Sequence, residues 1–277
     1  MTTMEISGIR EAWDRIAPGY DHFVTPSGDW ALPREALRLA GLEAGMRFLD
    51  VASGSGALSL PAARLGARVL AVDLSPAMIE RLNARARDEG LPELEGQVMD
   101  GHALDLDDDT FDMAGSQFGV MLFPDLRRGL SEMVRVTRPG GTVLMVAYGL
   151  PQGVEFLGFF IRAMQSVVPG FTGPPMDPPP LPFQVADPEV LRGRMAEAGL
   201  REVRVEAGNE RLEFASGALM WDWVTNSNPI AAGMIADLTK DQRARVQQEL
   251  DRLLRERAGG EGAAALDNNV NIAIGIK

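Results

Sequence analysis

The chain has 277 residues, a formal net charge of −12 at pH 7 and no cysteine, and 45% of its residues are hydrophobic. A chain of this length and apolar content can bury a globular core. The negative charge excludes nucleic acid as an expected partner, because nucleic-acid binding depends on clustered Lys and Arg. The absence of cysteine excludes disulfides, thiol nucleophiles and thiolate metal sites.

The hydropathy pattern shows neither a signal peptide nor a membrane span. Residues 1–21 contain no continuous apolar core, and no apolar run in the chain approaches the length that crosses a bilayer. We therefore expect a cytoplasmic protein with no membrane insertion.

Apolar runs alternate with helical patterns between residues 47 and 148. The runs predicted as strands are RFLDVA (47–52), VLAVDL (69–74), EGQVM (95–99), FDMAGS (111–116) and TVLMVAY (142–148). Ser75 and Pro76 mark the start of a helix that continues to about Asp88. A later helix is expected to end at residues 139–141, and the residues on its apolar face are Leu126, Leu130, Met133 and Val134. This alternation is typical of an α/β protein with a doubly wound, mostly parallel sheet.

The pattern changes after residue 150. Residues 154–168 are apolar on nearly every helical face, which predicts a helix covered on all sides, either in a core or as a lid over an apolar pocket. A Pro-rich connector (173–182) follows. Further predicted elements are a helix that begins at 187–189 and ends at Gly199, a strand at 200–207, a helix behind a capping box of Thr239 and Gln242, and a last strand at 269–277.

The stretch LDVASGSG (49–56) places small residues and two glycines directly after the first strand. Such a turn lets a ligand approach the backbone, where amide N–H groups and a helix N-terminus offer donors. A dinucleotide fingerprint would need a third glycine at position 59, which is Ser59, and the acidic Asp50 lies inside the strand before the turn. A nicotinamide cofactor is therefore the weaker interpretation.

Two further acidic residues follow the next two strands. Asp73, which lies 19 residues beyond Gly54, can accept hydrogen bonds from both hydroxyls of a ribose, and Asp100 can accept one from an adenine amine. Ligands in open α/β sheets bind at the carboxyl ends of the strands. Three such features at three successive strand ends predict a site for a nucleoside-containing cofactor.

Four motifs together resemble those of a known family: LDVASGSG, VLAVDLSPAMI, VMDGHALDLDDDTFD and RVTRPGGTVLMV. The chain resembles the class I S-adenosylmethionine-dependent methyltransferases, within the small-molecule group that is similar to the ubiquinone/menaquinone-biosynthesis enzymes. The resemblance covers residues 11–148 closely and the rest loosely. It implies a seven-stranded Rossmann-like sheet with a helical cap, S-adenosylmethionine as cofactor and S-adenosylhomocysteine as product.

The resemblance also implies a domain organisation and a reaction. It places an N-terminal helical cap segment at 1–40, a cofactor-binding core at 41–150, and the remaining strands with an inserted helical cap over the acceptor site at 151–277. The implied reaction is methyl transfer to an O, N or C atom of a small, largely apolar metabolite, such as those of secondary metabolism. Alignment of the reacting atoms is expected to supply most of the rate acceleration.

Residue roles follow from the same resemblance. The implied cofactor-binding residues are Asp50, Ala52, Ser53 and Gly54 around the methionine part, Asp73 at the ribose, Leu74 and Met78 on the adenine face, Asp100 and Gly101 at the adenine edge, Gln117 beside the methyl group, and Tyr20 on the cofactor carboxylate. Ala52 stands where the family usually has a glycine. We expect the acceptor to contact Phe118, Met121, Phe156, Phe160 and Met164, although Met and aromatic residues at helical spacing are also common in plain cores.

Catalysis needs no protein nucleophile and, by our prediction, no metal ion. His22 is the candidate general base, whereas His102 follows the adenine-edge motif and is expected to be structural. The acidic run at 105–109 precedes the fourth strand and is interpreted as a solvated loop. The segment Asp267-Asn268-Asn269 is expected in a turn before the last strand, so it is not interpreted as a metal site.

Two other functions remain open at this point. A Rossmann-fold reductase would bind NAD, but the chain lacks the third glycine and a Tyr-x-x-x-Lys constellation. A nonenzymatic module could keep the cofactor pocket without an acceptor site. The expected partner is a small-molecule acceptor; a homodimer is compatible with the sequence, which does not determine the oligomeric state.

Overall fold

The computed structural model describes residues 6–24, 31–227 and 229–277. The chain divides into two compact units, which we call the sheet unit (residues 30–149, 181–208 and 270–277) and the helical unit (residues 1–29, 150–180 and 209–269). Within the described residues no helix is long and apolar enough to cross a membrane.

Seven strands form one sheet in the order β3-β2-β1-β4-β5-β7-β6. The strands are β1 Arg47–Val51, β2 Arg68–Asp73, β3 Leu94–Val98, β4 Phe111–Gln117, β5 Thr137–Tyr148, β6 Arg201–Phe214 and β7 Ala264–Ile276. The pairings of β1 with β2 and β4, of β2 with β3 and of β4 with β5 are parallel, and β7 runs antiparallel to β5. This confirms the predicted α/β class with a mostly parallel seven-stranded sheet.

The chain direction across the sheet reverses between β1 and β4. From β1 the chain moves outward to β2 and β3, and it then crosses back to β4 on the other side of β1. In open α/β sheets the crevice at such a reversal, outside the carboxyl ends of the strands, is where ligands bind. The topology therefore predicts a ligand site at the loops that follow Val51 and Gln117.

The described part of the sheet unit contains the α-helices α2 Ala31–Ala40, α3 Ser59–Arg64, α4 Pro76–Asp88, α5 Leu126–Val136 and α7 Pro188–Glu197. The structure confirms the predicted start and end of α4, with the Ser75 hydroxyl accepting a hydrogen bond from the Met78 amide at 3.1 Å. α3 and α4 pack against β2 and β3, and α5 packs against β4 and β5. The core sheet is thus flanked by helices whose starts lie at the carboxyl ends of strands.

The predicted end and apolar face of α5 were wrong in detail. The helix ends at Val136, before the Pro139-Gly140-Gly141 run, because Thr137 adopts an extended conformation and its hydroxyl donates to the Met133 carbonyl at 2.7 Å. Val136 is buried on the inner face, whereas Val134 is only half-buried. Extended backbone begins at Thr137 and pairs with Phe111 before the register shifts to Met113 with Thr142.

The last two strands are longer than predicted. β6 continues through Gly208 because a Cβ there would lie 2.9 Å from a Val270 methyl, so this glycine permits close strand packing and does not mark a turn. β7 begins at Ala264, which places Asp267-Asn268-Asn269 inside the strand and corrects the predicted turn. The buried Asn268 accepts a hydrogen bond from the Phe156 amide and donates one to the Glu210 carbonyl, so its role is structural.

The helical unit contains α1 Ile6–Gly19, a π-helical turn Tyr20–Val24, α6 Glu155–Val167, α8 Gly217–Ser227, α9 Pro229–Met234 and α10 Lys240–Ala258. α6 and α8 both pack against α10, and α8 also packs against the π-helical turn. The predicted capping box of Thr239 and Gln242 is confirmed at the start of α10. The four residues predicted on the inner face of α10 are buried: Val246, Leu250, Leu253 and Leu254.

Asn83 fastens α4 to the edge strand β3. Its side chain donates to the Gly96 carbonyl at 2.9 Å and accepts from the Gly96 amide at 2.8 Å. Both bonds engage backbone groups of an edge strand, so the Asn83 side chain takes the place of a neighbouring strand.

Replacing Asn83 by Ala is expected to lower the free energy of unfolding by about 2 kcal/mol, because two hydrogen bonds are lost and buried backbone groups of Gly96 stay unpaired. Urea denaturation followed by circular dichroism measures the change. The control is Gln97→Ala, since the Gln97 side chain is exposed and, within the described part of the chain, bonds only to Glu95. The effect of this change should stay within about 0.5 kcal/mol. Equal unfolding free energies for the two variants would contradict the role of Asn83.

Candidate functional site

The turn after β1 is shaped by close approach to the segment after β4. Ala52 and Gly54 have positive φ angles of 55° and 54°, and a Cβ on Gly119 would lie 2.6 Å from the Ala52 Cβ. A positive φ disfavours residues with a Cβ, which explains why glycine suits position 52 and why only a small residue can replace it there. The backbone of this turn is therefore open to a ligand and constrained by its neighbours.

Asp73 at the end of β2 holds two loops in place. One carboxylate oxygen, Oδ2, accepts a hydrogen bond from the Gly54 amide at 2.9 Å, and the other, Oδ1, accepts one from the Ser75 amide at 2.9 Å. Each carboxylate oxygen has two lone pairs, so a carboxylate can accept several donors at once. Asp73 keeps the glycine turn and the start of α4 fixed, and its carboxylate stays the predicted acceptor for the ribose hydroxyls.

Asp100 follows β3 and is joined to His102. Its Oδ1 accepts from the His102 amide and lies 2.9 Å from the His102 Nδ1, and the His102 ring stacks on Phe123 with centroids 4.2 Å apart. The Arg128 side chain donates to the His102 carbonyl at 2.7 Å. His102 therefore orients Asp100, as expected of a structural residue, and leaves the Asp100 Oδ2 atom available to a ligand donor.

Asp50 and Gln117 each present one buried oxygen that has no donor among the described residues. Asp50 is fully buried, and the Ser59 hydroxyl donates to its Oδ2. Among the described residues, neither the Asp50 Oδ1 nor the Gln117 Oε1 has a hydrogen-bond partner. Burial is the main cause that raises the pKa of Asp50 to about 7, followed by the Ser59 hydrogen bond, which lowers it, and the charge of Asp73, which raises it.

The orphaned oxygens lie on one face of the sheet. Asp50 pairs with Gly115 across β1 and β4, and Gln117 is two residues further along β4. Side chains two residues apart on a strand point to the same face, and paired residues of neighbouring strands do so as well. A ligand group with several N–H donors would satisfy both acceptors.

A model of the methyltransferase domain matches residues 49–145. An uncharacterized protein of Mycobacterium tuberculosis is 40% identical over 162 residues, a match that covers 55% of this chain and 57% of that protein. The demethylmenaquinone methyltransferase of Chlorobaculum tepidum is 32% identical over 180 residues, covering 62% of this chain and 72% of the enzyme. The chain belongs to the class I S-adenosylmethionine-dependent methyltransferases.

The fold comparison agrees with this membership. Phosphoethanolamine N-methyltransferase 2 of Haemonchus contortus, solved with phosphomonomethylethanolamine and S-adenosylhomocysteine, superposes with a TM-score of 0.62 at 18% identity, covering 99% of this chain and 60% of that one. At this identity the likeness concerns the fold. The match to the mycobacterial relative spans little more than half of that relative's length.

The described residues fit S-adenosylmethionine, the cofactor of this methyltransferase family. The orphaned oxygens of Asp50 and Gln117 suit the ammonium group, Asp73 suits the ribose diol, and the open oxygen of Asp100 suits the adenine amine. Beside Asp73 lie the half-buried Leu74 and the buried Met78, which are the residues predicted for the adenine face.

All other predicted cofactor residues except Tyr20 also lie in the sheet unit of the methyltransferase. Ser53 is buried in the glycine turn, and the buried Gly101 has the Phe123 ring 2.6 Å from where its Cβ would be. Their roles in binding stay predictions.

Two of the predicted acceptor residues belong to the sheet unit. Phe118 has a φ of 57°, and its ring stacks on Tyr148 with centroids 4.5 Å apart. Met121 is buried, and its carbonyl accepts from the Gln184 amide group at 2.7 Å. A positive φ on a bulky residue next to a binding edge is the kind of strain that concentrates at functional sites.

Ser59 and Tyr148 are two residues of this region that the sequence motifs do not single out. A hydroxyl nine positions after a buried Asp, on the first turn of the following helix, is a usable signal for Ser59. Tyr148 ends the apolar run of β5, and its ring contacts both Phe118 and Phe183. A polar aromatic residue at the carboxyl end of a central strand could have indicated a site residue.

The helical unit carries the remaining predicted residues. Tyr20 lies in the π-helical turn, where its ring meets Trp13 edge to face at 6.3 Å, and His22 is exposed two residues later. The buried residues of α6 include all three predicted for the acceptor: Phe156, Phe160 and Met164. The ring centroids of Trp223 and Phe156 are 4.9 Å apart, and those of Trp221 and Phe160 are 6.1 Å apart. Packing within this unit is therefore sufficient to explain the burial of Phe156 and Phe160.

Asp222 is a further titratable group that the sequence analysis did not single out. It lies on α8 between Trp221 and Trp223, and burial raises the pKa of its carboxyl group above the usual value. Its carboxylate makes no hydrogen bond or ion pair with the described residues. Within residues 6–24, 31–227 and 229–277, no group of three or more His, Cys, Asp or Glu side chains is arranged to hold a metal ion.

Replacing Asp73 by Ala is expected to weaken S-adenosylhomocysteine binding by about a hundredfold or more, because two hydrogen bonds to a charged acceptor are lost. Isothermal titration calorimetry measures the dissociation constant, and circular dichroism confirms that the variant is folded. Asp112→Ala is the matched control: Asp112 also accepts a backbone amide, that of Arg47 at 2.7 Å, but at the start of β4. Unchanged affinity in the Asp73 variant would contradict the site.

Proposed function

We propose that this protein transfers the methyl group of S-adenosylmethionine to an O, N or C atom of a small, largely apolar metabolite without a metal ion. The observation that carries the proposal is the set of acceptors at four neighbouring strand ends. Across the sheet these acceptors follow the order Asp100, Asp73, Asp50 and Gln117. This order matches the order of the donor groups along an adenosyl amino acid, from the adenine amine through the ribose to the ammonium group. Family membership supports the same reaction.

The bound cofactor would supply a methyl group on a positively charged sulfur, which is open to in-line displacement. The chain's contribution to the rate is alignment and exclusion of water. Asp73 fixes the sugar, and the glycine turn and Gln117 limit the movement of the amino acid end. Alignment of reacting groups contributes roughly 7–11 kcal/mol in favourable cases, more than the 10²–10⁴-fold typical of a positioned base.

Apolar side chains support an apolar acceptor. In the sheet unit, Phe118 and Met121 border the end of β4, and Tyr148 and Phe183 extend the aromatic surface behind Phe118. In the helical unit, α6 presents Phe156, Phe160 and Met164, which stay predicted acceptor residues. The reductase alternative is less favoured, because the matching family and the acceptor set both belong to S-adenosylmethionine chemistry. The cytoplasmic location and the homodimer stay predictions.

The proposal is tested by incubating the protein with methyl-labelled S-adenosylmethionine and a panel of apolar natural products and quinone precursors. Mass spectrometry is expected to show a product that has gained one labelled methyl group, together with S-adenosylhomocysteine. The reaction should persist in EDTA. Retention of NAD after purification, with no heat on titration of S-adenosylhomocysteine, would contradict the proposal.

His22 stays the predicted base for acceptors that must lose a proton. His22→Ala is expected to lower kcat by about a hundredfold, in the range of a positioned base, while the dissociation constant for S-adenosylhomocysteine is unchanged. Asp222→Asn is the comparison, because α8, which carries Asp222, packs against the turn that carries His22. If kcat falls in the Asp222 variant and is unchanged in the His22 variant, His22 is not the base and Asp222 is the candidate.

A further inference from the structure

Asp50 has features that cofactor binding alone does not explain. Its side chain is fully buried, one oxygen is held by the Ser59 hydroxyl, and the other lacks a partner among the described residues. A carboxylate in such surroundings loses hydration that a single neutral hydroxyl cannot replace. The charged form is therefore unfavourable until a donor reaches the second oxygen.

Among the described residues, the groups named below place no cation beside the Asp50 carboxylate. From β2, Asp73 adds a like charge, and from β4, Gln117 is neutral and presents its own orphaned oxygen. From α3, Ser59 is neutral, and the Arg64 guanidinium at the far end of that helix pairs with Glu89 at 2.7 Å. Burial and Asp73 together raise the pKa of Asp50 to about 7, against the opposing effect of Ser59.

We propose that Asp50 is protonated in the cofactor-free protein near and below neutral pH and releases its proton to solvent when the ammonium group of the cofactor binds, with Ser59 as the positioning residue. This inference rests on the proposed function. The exchange is balanced: the carboxylic acid loses one proton to water, and the resulting carboxylate accepts an N–H bond from the ammonium group. No bond to carbon or sulfur changes.

Ser59 determines which Asp50 oxygen takes part in the exchange. Its hydroxyl donates to Oδ2, so in the proposal Oδ1 carries the proton before binding and accepts from the ammonium group afterwards. The Gln117 Oε1, on the same face of the sheet, offers a second acceptor to the same group. Removing the Ser59 hydroxyl leaves both Asp50 oxygens without a protein donor and makes ionisation still less favourable.

The proposal predicts how affinity depends on pH. Since binding requires the ionised carboxylate, affinity rises with pH until Asp50 is already ionised in the free protein, and it levels off above that point. Binding should release about 0.9 protons at pH 6, about 0.5 at pH 7 and about 0.1 at pH 8. A site whose carboxylate is always ionised would release none.

The experiment is calorimetric titration of the full chain with S-adenosylhomocysteine, which carries the same ammonium group, at pH 6, 7 and 8. At each pH the titration is repeated in buffers of different ionisation enthalpy, and the slope gives the number of protons released. Asp50→Asn is expected to release none. His102→Ala is the control that removes the imidazole of the sheet unit. Its binding of S-adenosylhomocysteine should still release protons as in the unmodified protein.

Ser59→Ala tests the positioning role. The pH midpoint is expected to rise by about one unit, so the variant releases about 0.9 protons at pH 7, where its affinity falls about fivefold. Ser59→Thr keeps the hydroxyl and should restore the midpoint. A lower affinity with an unchanged midpoint would indicate a merely structural Ser59 and would overturn its assignment.

The outcomes separate this inference from the proposed function. Binding without proton release in the unmodified protein overturns the inference and leaves methyl transfer standing. Absence of binding overturns both. If Ser59→Ala does not fold, the unmodified protein and the Asp50 and His102 variants still decide whether Asp50 is the source of the proton.

Discussion

The geometry of the carboxyl edge depends on the two hydrogen bonds that Asp73 accepts from Gly54 and Ser75. One carboxylate fixes the glycine turn after β1 and the start of α4 at once, and it belongs to the strand between them. The turn is further held by the Gly56 amide, which donates to the Ser53 carbonyl at 3.1 Å, and by the Ser53 amide, which donates to the Val72 carbonyl at 3.0 Å. The Asp73 carboxylate is also the predicted acceptor for the ribose, so one side chain would combine a structural tie with a binding group.

The carboxyl edge of the sheet presents several oxygen acceptors. Asp50 and Gln117 hold buried oxygens that the described residues do not satisfy, and Asp100 keeps one oxygen open beside His102. Unsatisfied buried acceptors oppose folding, and natural proteins tolerate them mainly where function needs them. A ligand that satisfies them must carry several donors, as an adenosyl amino acid does. The Asp50 carboxyl group, whose pKa burial raises, is also the group that would accept from this ligand.

The helical unit has a different physical character. Its interior is aromatic, with Trp223 between Phe156 and Phe214 and with Trp221 near Phe160. Such packing stabilises the unit by itself, so burial is no evidence that these residues contact an acceptor. A shared fold does not determine chemistry, which depends on the side chains of the site.

The sequence by itself determined the central strands, α4 and the acidic residues at strand ends, because strand periodicity and helix caps are local, and parallel strands bring their carboxyl ends to one edge. It misplaced the end of α5 and the starts and ends of β6 and β7, since pairing with distant strands decides how far an extended segment continues. Only the tertiary structure showed the bond from Ser59 to Asp50 and the stack of Phe118 on Tyr148. These contacts depend on distances between separate elements, so the sequence could at most indicate Ser59 and Tyr148 as candidates and could not show which side chains they meet.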